Sequence, residues 1–106
     1  LRAVVPLSNN KKLMKYLKNK YKYYIDWSGS LFWIEVADKD EMKIKEIKKF
    51  ILEIDGYLTV IKRSENFSFH ESLFTINENR LFISKKIKES FDPKRIFNPG
   101  KMYREI

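Results

Sequence analysis

The chain has 106 residues, with 22 Lys and Arg against 14 Asp and Glu, a net charge of +8 and 43% hydrophobic residues. That balance suits one domain with a real core and argues against disorder. The absence of cysteine excludes disulfides, thiolate metal sites and cysteine nucleophiles. No apolar run approaches the roughly 20 residues that span a membrane.

Residues 2–6, with Ala3, Val4 and Val5, predict a short strand. Ser8, Asn9 and Asn10 are all helix N-cap types. Leu13, Met14, Leu17 and Tyr21 then recur at helical spacing, with lysines opposite, which predicts a helix over about 11–21. Residues 23–27 and 31–36 read as strands joined by Ser28-Gly29-Ser30, a hairpin signal. In the second of them Phe32, Ile34 and Val36 share one face, and Leu31, Trp33 and Glu35 the other. Asp38 and Glu41 have the spacing of a capping box. Met42, Ile44, Ile47, Phe50, Ile51 and Ile54 mark the helix that follows, which stops at Asp55-Gly56, with Gly56 expected at the C′ position with positive φ. Residues 57–63 predict a fourth strand, with Leu58 and Val60 opposite Tyr57, Thr59 and Ile61. Residues 64–72 are expected to be a loop pinned by Phe67 and Phe69. Thr75 and Glu78 match a capping box, and a last helix is expected over 77–91, with Ile83, Ile87 and Phe91 at i, i+4 spacing. Pro93 forbids its continuation.

The order is β-α-β-β-α-β, then a helix and a tail. It predicts an α+β, ferredoxin-like domain over residues 1–106, with a four-stranded antiparallel sheet and both crossover helices on one face. The first residue is Leu1 and not Met, so a fragment or a processed product is expected.

The tail, Phe91-Asp-Pro-Lys-Arg-Ile-Phe-Asn-Pro-Gly-Lys-Met-Tyr-Arg-Glu-Ile106, holds two of the three prolines. Asp92-Pro93 opens a type I turn, and Asn98-Pro99-Gly100 suits a type II turn with positive φ at Gly100. Phe91, Ile96 and Phe97 are expected to anchor the tail, which would follow a fixed irregular path.

The pattern F-D-P-x-x-I-F-N-P-G-[KR] resembles the C-terminus of FAD-linked oxidases of the vanillyl-alcohol oxidase type. Among these it is most similar to the smaller FAD-binding subunits of bacterial glycolate oxidases. Arg2-Ala-Val-Val-Pro6, Asp26-Trp27-Ser28-Gly29-Ser30-Leu31-Phe32-Trp33, Gly56, Arg63 and Phe69-His70 extend the likeness over nearly the whole chain. The resemblance implies a C-terminal cap domain that covers the flavin and shapes the substrate side. The FAD-binding domain, with its glycine-rich pyrophosphate loops, would lie outside this chain. Implied partners are that domain, other glycolate oxidase-like subunits and a small 2-hydroxy acid. The implied location is cytoplasmic, peripheral to the inner membrane through partner subunits at most.

The resemblance also sets out candidate site residues. Asn98, Gly100 and Lys101 would lie nearest the flavin. The plainer readings are that Asn98 caps its own turn and that Lys101 is one more solvated lysine. Arg2 and Arg63 are substrate-side candidates for an anion, with structural ion pairs as the alternative. His70, the only histidine, is a candidate base or a packed interface residue. Trp27 and Trp33 either stack on a ligand or belong to the core.

Two other readings share the β-α-β-β-α-β order: an RNA-binding module of the four-stranded kind, and a protein-interaction domain. The charge of +8 fits a polyanionic partner, but the basic residues are mostly Lys, dispersed among Glu and Asp, as on a plain lysine-rich surface. An RNA module stacks bases on aromatics of its third strand, where this chain has Trp33 but also Glu35 on the same face. No specific nucleic acid and no metal are expected.

Overall fold

The computed structural model describes residues 1–37, 40–63 and 72–106. The elements are β1 (Arg2–Val4), α1 (Asn10–Leu17), β2 (Lys22–Asp26), β3 (Leu31–Glu35), α2 (Glu41–Glu53), β4 (Tyr57–Thr59) and α3 (Glu78–Phe91). The four strands form one antiparallel sheet in the order β2-β3-β1-β4, an α+β arrangement compatible with the expected ferredoxin-like fold. Residues 72–75 add a short rung along the outer edge of β4, where Thr59 bridges Phe74.

Strand alternation divides the sheet cleanly. Ala3, Phe32 and Leu58 are cross-strand partners and lie buried under α1 and α2. Leu13 and Leu17 of α1 and Ile44, Ile47 and Ile51 of α2 complete that core. Tyr16 and Phe50 stack at 4.1 Å between ring centroids, joining the two helices. Asn9 Nδ2 donates to Ile54 O at 3.0 Å, tying the start of α1 to the end of α2.

Several helix ends differ from the sequence expectation. The first helix ends at Leu17, and Asn19 takes a positive φ of 63°, so Tyr21 packs from a connecting segment. Asp38 lies outside the described residues; the N-cap of α2 is Asp40, whose carboxylate accepts from Lys43 N at 3.2 Å. The C-terminus of α2 is a Schellman motif. Gly56 N donates to Ile51 O at 2.8 Å and Asp55 N to Leu52 O at 3.2 Å. The left-handed C′ residue is therefore Asp55, φ 57°, and not Gly56. Gly56 is required for another reason: a Cβ there would stand 2.8 Å from Val5 Cγ1, 2.9 Å from Ile51 Cγ2 and 3.0 Å from Val4 O.

Thr75 does not cap α3. It is buried, and its hydroxyl accepts from Leu58 N at 2.8 Å, closing the β4 edge. The cap of α3 is Asn77, accepting from Arg80 N at 2.9 Å. The largest difference concerns α3 and the tail. No residue of α3 is buried. Phe91, Ile96 and Phe97, expected as anchors, are 84%, 68% and 70% exposed. The expected loop aromatics Phe67 and Phe69 lie outside the described residues.

Candidate functional site

Two regions carry the candidate residues. The first is the sheet face opposite α1 and α2. Arg2 sits on a central strand, paired in register with Trp33 on one side and Thr59 on the other, so the three share that face. Tyr24 pairs with Trp33 and stacks on it at 6.1 Å. The Arg2 guanidinium lies 5.4 Å from the Trp27 ring centroid. Among the described residues no carboxylate lies within ion-pair distance of Arg2. An uncompensated guanidinium beside two indole rings and a tyrosine is suited to a small anion with an apolar body.

Local backbone strain lies at the same place. Trp27 and Ser28 take positive φ of 51° and 53°, followed by Gly29 at 105°. Two consecutive non-glycine residues in the left-handed region are costly. They are held by Asp26, whose carboxylate accepts from Trp27 N at 2.8 Å, and by Ser30, whose hydroxyl donates to Trp27 O at 3.0 Å. Gly29 backs onto Asn10, whose Nδ2 would stand 2.8 Å from a Cβ there. This turn is what presents the Trp27 ring, and strain of this kind concentrates at functional sites.

The second region is the tail. Arg95 N donates to Asp92 O at 3.0 Å, closing the Asp-Pro turn, and Lys101 N donates to Asn98 O at 3.3 Å, closing the Asn-Pro-Gly turn. Gly100 has φ 69°, as that turn requires. Gly100 N in turn donates to Ile106 O at 2.6 Å. With its apolar anchors exposed, the tail is fixed by polar contacts. The Asp92 carboxylate, 6% exposed, accepts from Ile96 N and Phe97 N, both at 2.9 Å. It also pairs with Lys88 Nζ at 2.6 Å, and the same ammonium donates to Phe97 O. The sequence reading assigned Asp92 only to a turn. The missed signal is a Lys four residues before an Asp at a helix end, with Pro stopping the helix.

This clasp makes a pH prediction. The Lys88 hydrogen bond, with the Ile96 and Phe97 amides, lowers the Asp92 pKa from 3.8 to about 2. A lowered folded-state pKa stabilises above the unfolded value and loses that contribution as pH falls through the folded one. Tail order should thus be constant down to about pH 4 and be lost between there and about pH 2. The protection factors of the Ile96 and Phe97 amides, taken relative to intrinsic exchange at each pH, should fall across that window. In Asp92→Asn they should already be low at neutral pH.

The structure does not gather the candidates into one cluster. Asn98 and Lys101 are exposed on the tail, and their side chains make no hydrogen bond or ion pair with other described residues. Arg63 lines a different cleft, with Val36, Ala37 and Ile44. His70 lies outside the described residues. Arg80 lies 4.8 Å from the Tyr57 ring centroid, so the start of α3 borders the Arg2 face at its β4 side.

No protein-family model matches the chain, and no solved structure matches it. Among curated proteins it matches the glycolate oxidase subunit GlcE of Escherichia coli strain K12, 30% identical over 83 residues. The chain is distantly similar to this subunit. The match covers 77% of the chain but only 21% of GlcE, so the chain spans about a fifth of its relative's length. No described helix is long and apolar enough to cross a membrane.

Proposed function

We propose that this chain is the C-terminal cap domain of a GlcE-like, FAD-dependent 2-hydroxy-acid oxidoreductase. The observation that carries the reading is the match to GlcE over most of this chain and only a fifth of that subunit. In this reading the rest of the flavoprotein binds FAD. The chain's three glycines are scattered, and Gly29 and Gly56 are committed to packing, so nothing here cradles a pyrophosphate. The residues present fit one edge of a flavin and no more: an amide from Asn98 and an ammonium from Lys101, on a turn fixed by Pro99 and Gly100. Flavin, when bound, accepts the electron pair removed from the hydroxy-acid carbon.

Arg2 is the residue proposed to hold the substrate carboxylate, with Trp27 and Trp33 as the apolar walls that exclude water and strengthen the pairing. Arg63 and His70 are weaker substrate-side candidates. The stripe Ile83, Ile87, Phe91, each exposed and one helical turn from the next, suits packing against the FAD-binding domain, with other glycolate oxidase-like subunits as further partners. The proposed location is cytoplasmic.

The test uses the parent flavoprotein. Asn98→Ala and Lys101→Ala should each lower kcat by roughly tenfold or more with the melting temperature unchanged. Arg2→Ala should raise KM for 2-hydroxy acids by about 10- to 100-fold, the worth of one charge-assisted pair, with partial rescue by Arg2→Lys. Parent rates in all three would remove the site assignment. The exposed aromatics of the open face also suit base stacking, against the negative charge of Glu35 on that face. Salt-resistant binding of one short RNA, abolished by Trp33→Ala, would replace the oxidase reading.

A further inference from the structure

The sheet ends in an edge at β2 whose geometry is self-complementary. Residue alternation fixes which backbone groups of β2 point outward. Ile34 N donates to Leu1 O at 2.9 Å, and the Leu1 amine donates to Ile34 O at 2.7 Å. Ile34 therefore spends its backbone groups on β1, and Trp33 and Glu35, its neighbours, spend theirs on β2. Their partners Tyr24 and Lys22 are the inward-bonding residues of β2. The N–H and C=O of Tyr23 and Ile25 point away from the sheet. Among the described residues they have no partner. On the β4 side the equivalent edge is already closed, with Val60 N on Leu73 O at 2.8 Å and Thr75 N on Leu58 O at 2.9 Å.

We propose that β2 pairs antiparallel with β2 of a second copy of this chain, about a two-fold axis at Tyr24. In that register Tyr23 faces Ile25 of the other copy, and both present outward backbone groups, so hydrogen bonds form in two reciprocal pairs. Tyr24 faces its own counterpart in the closer, non-hydrogen-bonded position. Lys22 faces Asp26 of the other copy, and Asp26 its Lys22, giving two opposite-charge pairs by symmetry. Shifting the axis to Tyr23 or Ile25 loses both ion pairs, so charge selects the register. Tyr23 and Ile25 point to the core side, where they are half-buried against it, and the second copy would cover their exposed remainder. The result is one continuous sheet of eight strands, made from four in each copy. The inference does not rest on the oxidase reading, since it is argued from the backbone edge and the Lys22 and Asp26 charges, although Tyr24 also borders the Arg2 face and Asp26 also holds the Trp27 turn.

The test is sedimentation velocity across a concentration series, with circular dichroism to check folding. The wild-type chain should dimerise, more weakly as salt rises. Lys22→Glu and Asp26→Lys should each weaken the dimer by about tenfold or more, because two attractive pairs become two repulsive ones. An equimolar mixture of these two variants should restore association, since each charge then meets its opposite. A wild-type chain that stays monomeric at all concentrations overturns the proposal. So does a dimer that neither variant weakens, which would assign association to another surface such as the α3 stripe. Failure of the mixture to associate, with both variants folded, overturns the register.

Discussion

Phe32→Ala should destabilise the isolated chain by about 3–5 kcal/mol, while Phe91→Ala should leave its stability within about 0.5 kcal/mol of wild type. The two rings are the same, and only their surroundings differ. Phe32 is 0% exposed, at the centre of the sheet between Ala3 and Ile25, under both crossover helices. Removing it loses the transfer free energy of the ring and leaves a cavity that packed neighbours only partly refill. Phe91 is 84% exposed at the end of α3, so its ring is already in water. A loss of that size approaches the whole stability of an ordinary small domain. Urea or thermal melts of the two variants decide it. A large loss on Phe91→Ala would show that the α3 stripe folds back onto the domain in solution.

Gly56→Val should cost on the order of 1–3 kcal/mol, and the neighbouring Asp55→Gly should stabilise by up to about 1 kcal/mol. The opposite signs follow from the Schellman motif. At Gly56 the difficulty is space: an added Cβ meets two side chains at 2.8 and 2.9 Å, and the backbone oxygen of Val4 at 3.0 Å. The side chains have some room to turn, but the carbonyl belongs to the central strand and does not yield. At Asp55 the difficulty is conformation, since a side chain at φ 57° carries the left-handed penalty that glycine escapes. Thermal melts of both variants check the pair. Stabilisation by Gly56→Val, or destabilisation by Asp55→Gly, would reverse the assignment of the two roles.

The same two residues show how far a sequence carries the fold. Asp55-Gly56 is legible as a helix stop, because glycine after an apolar periodic run rarely means anything else. Which of the two adopts positive φ depends on how close Val5 comes, and that is a tertiary fact. Ile44, Ile47, Ile51 and Leu58 were readable as core because their spacing matches their element's period. Phe91, Ile96 and Phe97 were expected to anchor the tail from their places around its two turns, yet all three are exposed; the periodicity of Ile83, Ile87 and Phe91 is real, but no described element covers the stripe. Periodicity reports that a face is apolar and does not say who buries it. The caps failed similarly. Asp38 and Thr75 had acceptable spacing, but Asp40 and Asn77 are the caps observed, since several capping-type residues stood within one turn of each start.

For the candidate site, the Asn98-Pro99-Gly100 turn was legible because its residues admit few backbone geometries. The Asp92–Lys88 clasp was not, because an ion pair one helical turn apart is common on solvated helices and only its burial sets it apart here. The convergence of Arg2, Trp27 and Trp33 on one sheet face needs the strand register, which sequence leaves open.

A helix with no fully buried residue has a bearing on the order in which the chain gains structure. A 14-residue helix standing largely in water has little tertiary packing to offset the cost of nucleation. The sheet with α1 and α2 would therefore behave as one cooperative unit, and α3 with its tail as a second that opens at a much lower free energy. Amide protection in the isolated chain should fall abruptly between Thr75 and the start of α3. Protection regained by α3 on adding a partner would then measure assembly directly, without any enzymatic assay.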